Sequence, residues 1–128
     1  MGSIANMIEL SFPWPPKELS PNARVHWATK AKAAKKYKSD CYWLCRFKQL
    51  DHGAYICRPR PNLKKMPRLT VSFHPPSKRR ADIDNMFSSY KYGLDAIAEF
   101  LGIDDSQFTY TLSKADPVKH GSVRVVIR

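Results

Sequence analysis

The sequence predicts a two-layer α+β domain in the order β-α-β-α-β-β, with two helices packed on a small mixed sheet. Three observations predict it. The chain has 128 residues and 43% apolar content, enough for one hydrophobic core. Four short segments alternate apolar and polar residues, as half-buried strands do. Two longer segments read as helices, one free of Pro and Gly and one with apolar residues three and four apart. No repeat, low-complexity stretch or linker interrupts the chain. One domain over residues 1–128 is therefore expected, with residues 1–7 a flexible N-terminus.

The first strand is Ile8 to Phe12, which alternates and then meets Pro13-Trp14-Pro15-Pro16. Proline cannot donate to a ladder, so the strand stops there. Lys17 to Val25 reads as a loop containing Asn22 and Arg24. From Trp27 to Leu50 there is no Pro or Gly, and Ala, Lys and Leu dominate, which predicts the longest helix. Its inward face is expected to hold Trp27, Ala31, Ala34, Cys41 and Leu44 or Cys45. Gly53 is placed to close it. Arg58 to Pro67, with three prolines and four bases, is a loop. Leu69 to Phe73 is the second strand, ended by Pro75-Pro76. Asp82 to Leu101 is the second helix, with Phe87, Tyr90, Leu94, Ile97, Ala98 and Leu101 facing inward and Gly102 as its cap. Phe108 to Leu112 and Val123 to Ile127 are closing strands, expected to be joined as a hairpin.

Charge separates the function classes. The net charge is +11, from 22 Lys+Arg and 11 Asp+Glu. Six acids and one base fall within residues 82–105, a local −5, so the remainder carries +16. A basic body implies a polyanion, nucleic acid before an anionic membrane surface. The 12% aromatic content argues against a disordered basic tail. No apolar run spans a bilayer, and Met1 to Glu9 does not read as a secretion signal, so a cytoplasmic protein is expected. Three cysteines, Cys41, Cys45 and Cys57, make no disulfide framework. Cys41 and Cys45, one helical turn apart, suit either a zinc half-site or buried reduced thiols.

Chemistry concentrates at Lys78-Arg79-Arg80-Ala81-Asp82-Ile83-Asp84-Asn85. Two carboxylates on one side of an extended segment can share a hard cation such as Mg²⁺. The alternative is that Asp82 caps the helix. On a wheel of about 100° per residue, Asp84, Ser88, Lys91 and Asp95 form one polar stripe beside the apolar face. Lys91 and Asp95 could be an i,i+4 ion pair, or Lys91 could meet a phosphate. Asp104-Asp105-Ser106 is either a solvated turn or a second group of ligands, brought back if the next strand returns beside the second. Lys30, Lys32, Lys35, Lys36 and Lys38 are either a solvated face or phosphate contacts. His74 is the histidine nearest the acidic motif, either packed or direct in its role. Phosphate-cradling glycine loops, nucleophile elbows and His-Glu zinc helices are absent from the sequence.

The runs Lys78 to Asn85, Lys91, Leu94-Asp95-Ala96-Ile97 and Gly102 to Gln107 resemble the RusA family of Holliday junction resolvases. Phe12-Pro13-Trp14-Pro15-Pro16, Asn22 and Arg24 look like the same family's N-terminal signature. The resemblance runs from about residue 8 to the end. It implies a homodimeric Mg²⁺-dependent endonuclease, often phage- or prophage-encoded, that cuts four-way DNA junctions by paired nicks. Mn²⁺ would substitute, and neither a membrane nor a small-molecule cofactor is implied. Asp82, Asp84 and Asp105 match the metal-binding catalytic acids, Lys91 the helix lysine, and Asp104 is a further candidate ligand. Asn22, Arg24, Lys78, Arg79, Arg80, Lys35 and Lys36 are expected to contact DNA. Two departures stand out. The family lysine follows the second acid by four residues, where this chain has Ser88 and reaches Lys91 three later. Ala81 stands where another base often precedes the first Asp. Competing readings are a non-catalytic DNA-binding or architectural protein, and a nuclease for other branched or single-stranded DNA.

Overall fold

The structure of the chain, a computed structural model, describes residues 8–52, 68–78 and 82–127. For residues 49–52 and 105 it describes the backbone alone. The elements are β1 (Ile8–Pro13), a 3-10 turn (Lys17–Leu19), α1 (Trp27–His52), β2 (Arg68–His74), α2 (Ile83–Leu101), a 3-10 turn (Asp105–Gln107), β3 (Thr109–Lys114) and β4 (Ser122–Ile127). This is a small α+β domain with a four-stranded mixed sheet in the order β1-β4-β2-β3. Residues 1–7, Gly53, Cys57 and the loop Arg58 to Pro67 lie outside the described residues.

The expected β3–β4 hairpin does not form. β3 pairs parallel with β2, while β4 pairs antiparallel with both β1 and β2, so β2 separates the last two strands. The connection is tied across the end of β2, where Ala115 N–H donates to Phe73 O at 2.8 Å and Val118 N–H to Pro75 O at 3.0 Å. A turn closed by Gly121 N–H to Val118 O at 2.9 Å, with His120 left-handed at φ 66°, then feeds β4 into the centre. β4 gains more there than on an edge, because Val123, Val125 and Ile127 are all buried. The parallel return of β3 beside β2 follows the expected course after α2.

The helices cover one face of the sheet. Leu10, Phe12, Leu69, Val71 and Phe73 point into the core, while Ser11, Ser72, Thr111, Ser113 and Arg124 alternate onto an open, polar face. On α2 the buried stripe is Met86, Tyr90, Gly93, Leu94, Ala96, Ile97, Phe100 and Leu101. Phe87 and Ala98 are half-buried at its borders. Gly102 ends α2 in the left-handed region at φ 70°, where a side chain would be strained, and Ile103 N–H closes the cap on Ala98 O at 3.1 Å.

The inward face of α1 is Ala34, Tyr37, Cys41 and Cys45. Trp27 and Ala31, expected inside, are exposed. The 26 residues of α1 make about 39 Å of helix and the 19 of α2 about 28 Å. The first turn of α1 therefore runs past its cover. Cys41 and Cys45 are buried free thiols, and burial pushes the pKa of each up to about 12. Tyr37, absent from the expected inward face, donates its hydroxyl to Pro13 O at 2.6 Å. Lys38 reaches Glu99 on α2 at 3.2 Å. No helix among the described residues is long and apolar enough to cross a membrane.

Candidate active site

Asp82 is the last extended residue before α2, at φ −80° and ψ 137°. Its backbone carbonyl starts the helix by accepting from Met86 N–H at 3.1 Å, but its side chain makes no capping bond. Asp84 sits in the first turn. The chain turns helical at Ile83, so the extended i,i+2 geometry expected for the two acids stops at Asp82. Ile83 packs against the core, and the two carboxylates that flank it are exposed.

One turn further along α2 begins a groove of about 440 Å³. Ser88, Lys91 and Asp95, three of the four residues of the polar stripe, line one wall. Ser106 and Tyr110 line the other, and Tyr110 leans on Phe87 edge-to-face at 5.5 Å between ring centroids. Ser106 is held by its neighbour. Asp104 Oδ2 accepts from Ser106 N–H at 3.1 Å and also from the Ser106 hydroxyl, while Asp104 O accepts from Gln107 N–H at 3.0 Å. Asp104 therefore caps the 3-10 turn, and Asp105 is the residue between this cap and the groove-lining Ser106. The Asp105 side chain lies outside the described part of the structure.

Register sets the two acidic groups at opposite ends of β2: the turn with Asp104 enters β3 at Thr109, beside Arg68, whereas the chain reaches Asp82 after His74. Further expected residues gather at the Asp82 end. Pro13, His74 and Ser122 share one register row, and Lys114 ends the neighbouring strand at the same edge. The loop carrying Asn22 and Arg24 and the loop carrying Lys78 and Asp82 both leave from this edge. Asn22, Arg24, Lys35 and Lys78 are exposed. Lys36 pairs with Asp40 at 3.0 Å in a solvated contact worth little, so the pair opens readily for a phosphate. Arg79 and Arg80 lie outside the described residues. His74 is engaged structurally, its Nδ1 bonded to Asp116 O at 2.9 Å. Ser106 and Tyr110 had no signal in the sequence as groove residues, because they meet α2 only through the return of β3.

The donor chemistry suits a hard divalent cation: exposed carboxylates from Asp82 and Asp84, with Asp105 or Asp104 to complete the set. Among the described residues, no group of three His, Cys, Asp or Glu side chains is already gathered.

No protein-family model matches the chain. It is 35% identical over 126 residues to an uncharacterized protein of Xylella fastidiosa (strain Temecula1 / ATCC 700964), an alignment covering 98% of this chain and 78% of that one.

Proposed function

We propose that this chain, which belongs to the same family as that Xylella fastidiosa protein, is a Mg²⁺-dependent endonuclease that resolves four-way DNA junctions by paired nicks. The observation that carries the reading is the groove. It runs from Ser88, one turn beyond Asp84, to Ser106, the neighbour of Asp105, with Lys91 between them. A phosphate lying there would meet the Lys91 ammonium, with Asp84 one helical turn before Ser88 in the chain and Asp105 next to Ser106. The resemblance of these same residues to RusA resolvases points the same way.

Asp82, Asp84 and Asp105 would hold the metal, with Asp104 fixing the turn or joining the set. A Mg²⁺ held by them would supply an activated water and charge relief for phosphodiester hydrolysis. Lys91 neutralises the scissile phosphate or the leaving oxygen from the groove wall. Asn22, Arg24, Lys78, Arg79, Arg80, Lys35 and Lys36 hold flanking phosphates, with affinity that falls steeply in salt. Those contacts carry no sequence information, so junction preference comes from arm geometry. Two symmetric nicks call for two sites, hence a homodimer. The setting is the cytoplasm of a bacterial host, on recombining or repairing DNA.

The test is a cleavage panel in Mg²⁺ or Mn²⁺ with a four-way junction, a flap, a splayed duplex and linear DNA. The junction is cut by paired nicks, and Asp82→Asn abolishes cutting while binding persists. In chelator, Asp82→Asn or Asp84→Asn binds more tightly, because the bare carboxylates repel phosphate. A wild-type protein that never cuts the junction makes the acids structural and the protein a binding module. Preferential cutting of flaps or single strands moves the substrate to other branched DNA.

A further inference from the structure

Trp27 is 76% exposed, although tryptophan is among the most buried side chains on average. It is also organised. The His26 ring lies beside it at 5.5 Å between centroids, tilted by 32°. That ring is anchored in turn, because Ala28 N–H donates to His26 Nδ1 at 3.1 Å. Val25, 40% exposed, extends the apolar patch. The surroundings carry one sign of charge: Leu19 to Ser39 contains six bases and no acid. Arg24 and Lys32 are exposed within it. The loop bearing this patch leaves the sheet at the same edge as the loop bearing Asp82.

We propose that Trp27, steadied by His26, is a stacking platform for an unpaired DNA base, with Arg24, Lys30 and Lys32 holding the adjoining phosphates. Aromatic rings interleaved with cations are how single strands are bound without sequence preference. A second copy is a poorer occupant. A two-fold contact would set this patch against itself and oppose two basic clusters, whereas the centres of protein interfaces are depleted of charge. The inference extends the junction reading by naming what the protein grips at the branch point, where bases can lose their stacking. It rests on that reading only for the source of the strand.

Two measurements in chelator, where nothing is cut, test it apart from the nuclease assignment. The first uses Trp14→Phe/Trp43→Phe, which leaves Trp27 as the sole tryptophan. Its emission is quenched by an oligothymidylate and not by an abasic strand of equal length and charge. The second compares variants. Trp27→Ala weakens binding to oligothymidylate and to the four-way junction by about five- to hundredfold and leaves linear duplex unchanged, while Trp27→Phe keeps most of the affinity. Equal quenching by the abasic strand overturns the proposal. So does equal weakening toward duplex and single strand. Conversion of a dimer to a monomer by Trp27→Ala, with oligothymidylate binding intact, would mark the patch as a protein interface and also overturns it. If one variant fails to fold, the other measurement still decides.

Discussion

Replacing Gly93 with alanine should destabilise the domain, although helix propensity alone says the reverse. Gly93 lies inside α2, where glycine costs about 1 kcal/mol relative to alanine. A methyl group at this position would fall 2.7 Å from Cζ and 2.9 Å from Cδ1 of Tyr90, and closer still to Cε1. The ring cannot swing aside. Tyr90 is fully buried and boxed by Phe12, Phe73 and Tyr37 at centroid distances of 5.9, 6.1 and 6.3 Å. Overpacking of a tight core costs about 1–3 kcal/mol, and three ring atoms inside contact distance put this site at the upper end. Less the propensity gain, Gly93→Ala should lose about 2 kcal/mol in urea unfolding followed by circular dichroism. Tyr90→Leu alone should cost about 2 kcal/mol for the space it opens. Together they should cost at least 1 kcal/mol less than their sum, because the new methyl enters the vacated space. A Gly93→Ala protein as stable as the parent, or strict additivity, would refute the account of why glycine stands there.

Other outcomes follow from the same core and groove. The Tyr90 hydroxyl is buried with no hydrogen-bond partner among the described residues, so Tyr90→Phe should leave urea stability unchanged or raise it by about 1 kcal/mol; a clear loss would reveal a missed partner. Cys41 and Cys45 are pushed up to about 12 from 9.0, chiefly by burial, so the native state keeps protons that the unfolded chain has released above pH 9. Stability should therefore be full below pH 9 and fall toward pH 12, by up to about 1.4 kcal/mol per pH unit per thiol. Cys41→Ala and Cys45→Ala should each flatten that slope in unfolding titrations. In the proposed reaction, Lys91→Ala should slow junction cleavage by about a hundredfold at unchanged binding, and adding Ser88→Lys should restore part of the rate, since both positions line the groove. Full activity in Lys91→Ala would remove the lysine from the chemistry.

Much of α2 was legible in advance. Its apolar residues recur cleanly, Gly102 marks its end, and the wheel that sorts them also isolates Ser88, Lys91 and Asp95 as a stripe. α1 was harder. Alanines and lysines give it no sharp apolar stripe, and which of its turns is covered depends on the length of α2, not on its own residues. That is why Trp27 was misplaced and Tyr37 passed over. Alternation in Val123 to Ile127 announced a strand but could not name its neighbours, so a central strand was read as half of a hairpin. The second wall of the groove failed for a similar reason. Ser106 and Tyr110 reach α2 through a parallel return, and pattern along the chain does not report contact across it.

The position of β4 also sets a timetable for the chain. Among the described strands β1 pairs with β4 alone, Ile8 against Ile127, so β1 leaves the ribosome with no partner until β4 has followed it. The β2-α2-β3 unit can form earlier, from contacts nearer in sequence. β1 and the apolar side chains of Leu10 and Phe12 must wait, exposed or borrowed by the helices. Closing the sheet thus requires the most distant contacts among the described strands, and these are the slow ones. A ribosome stalled before Ser122, or a chain clipped there, would present the inner edges of β1 and β2 together as an open slot for another strand.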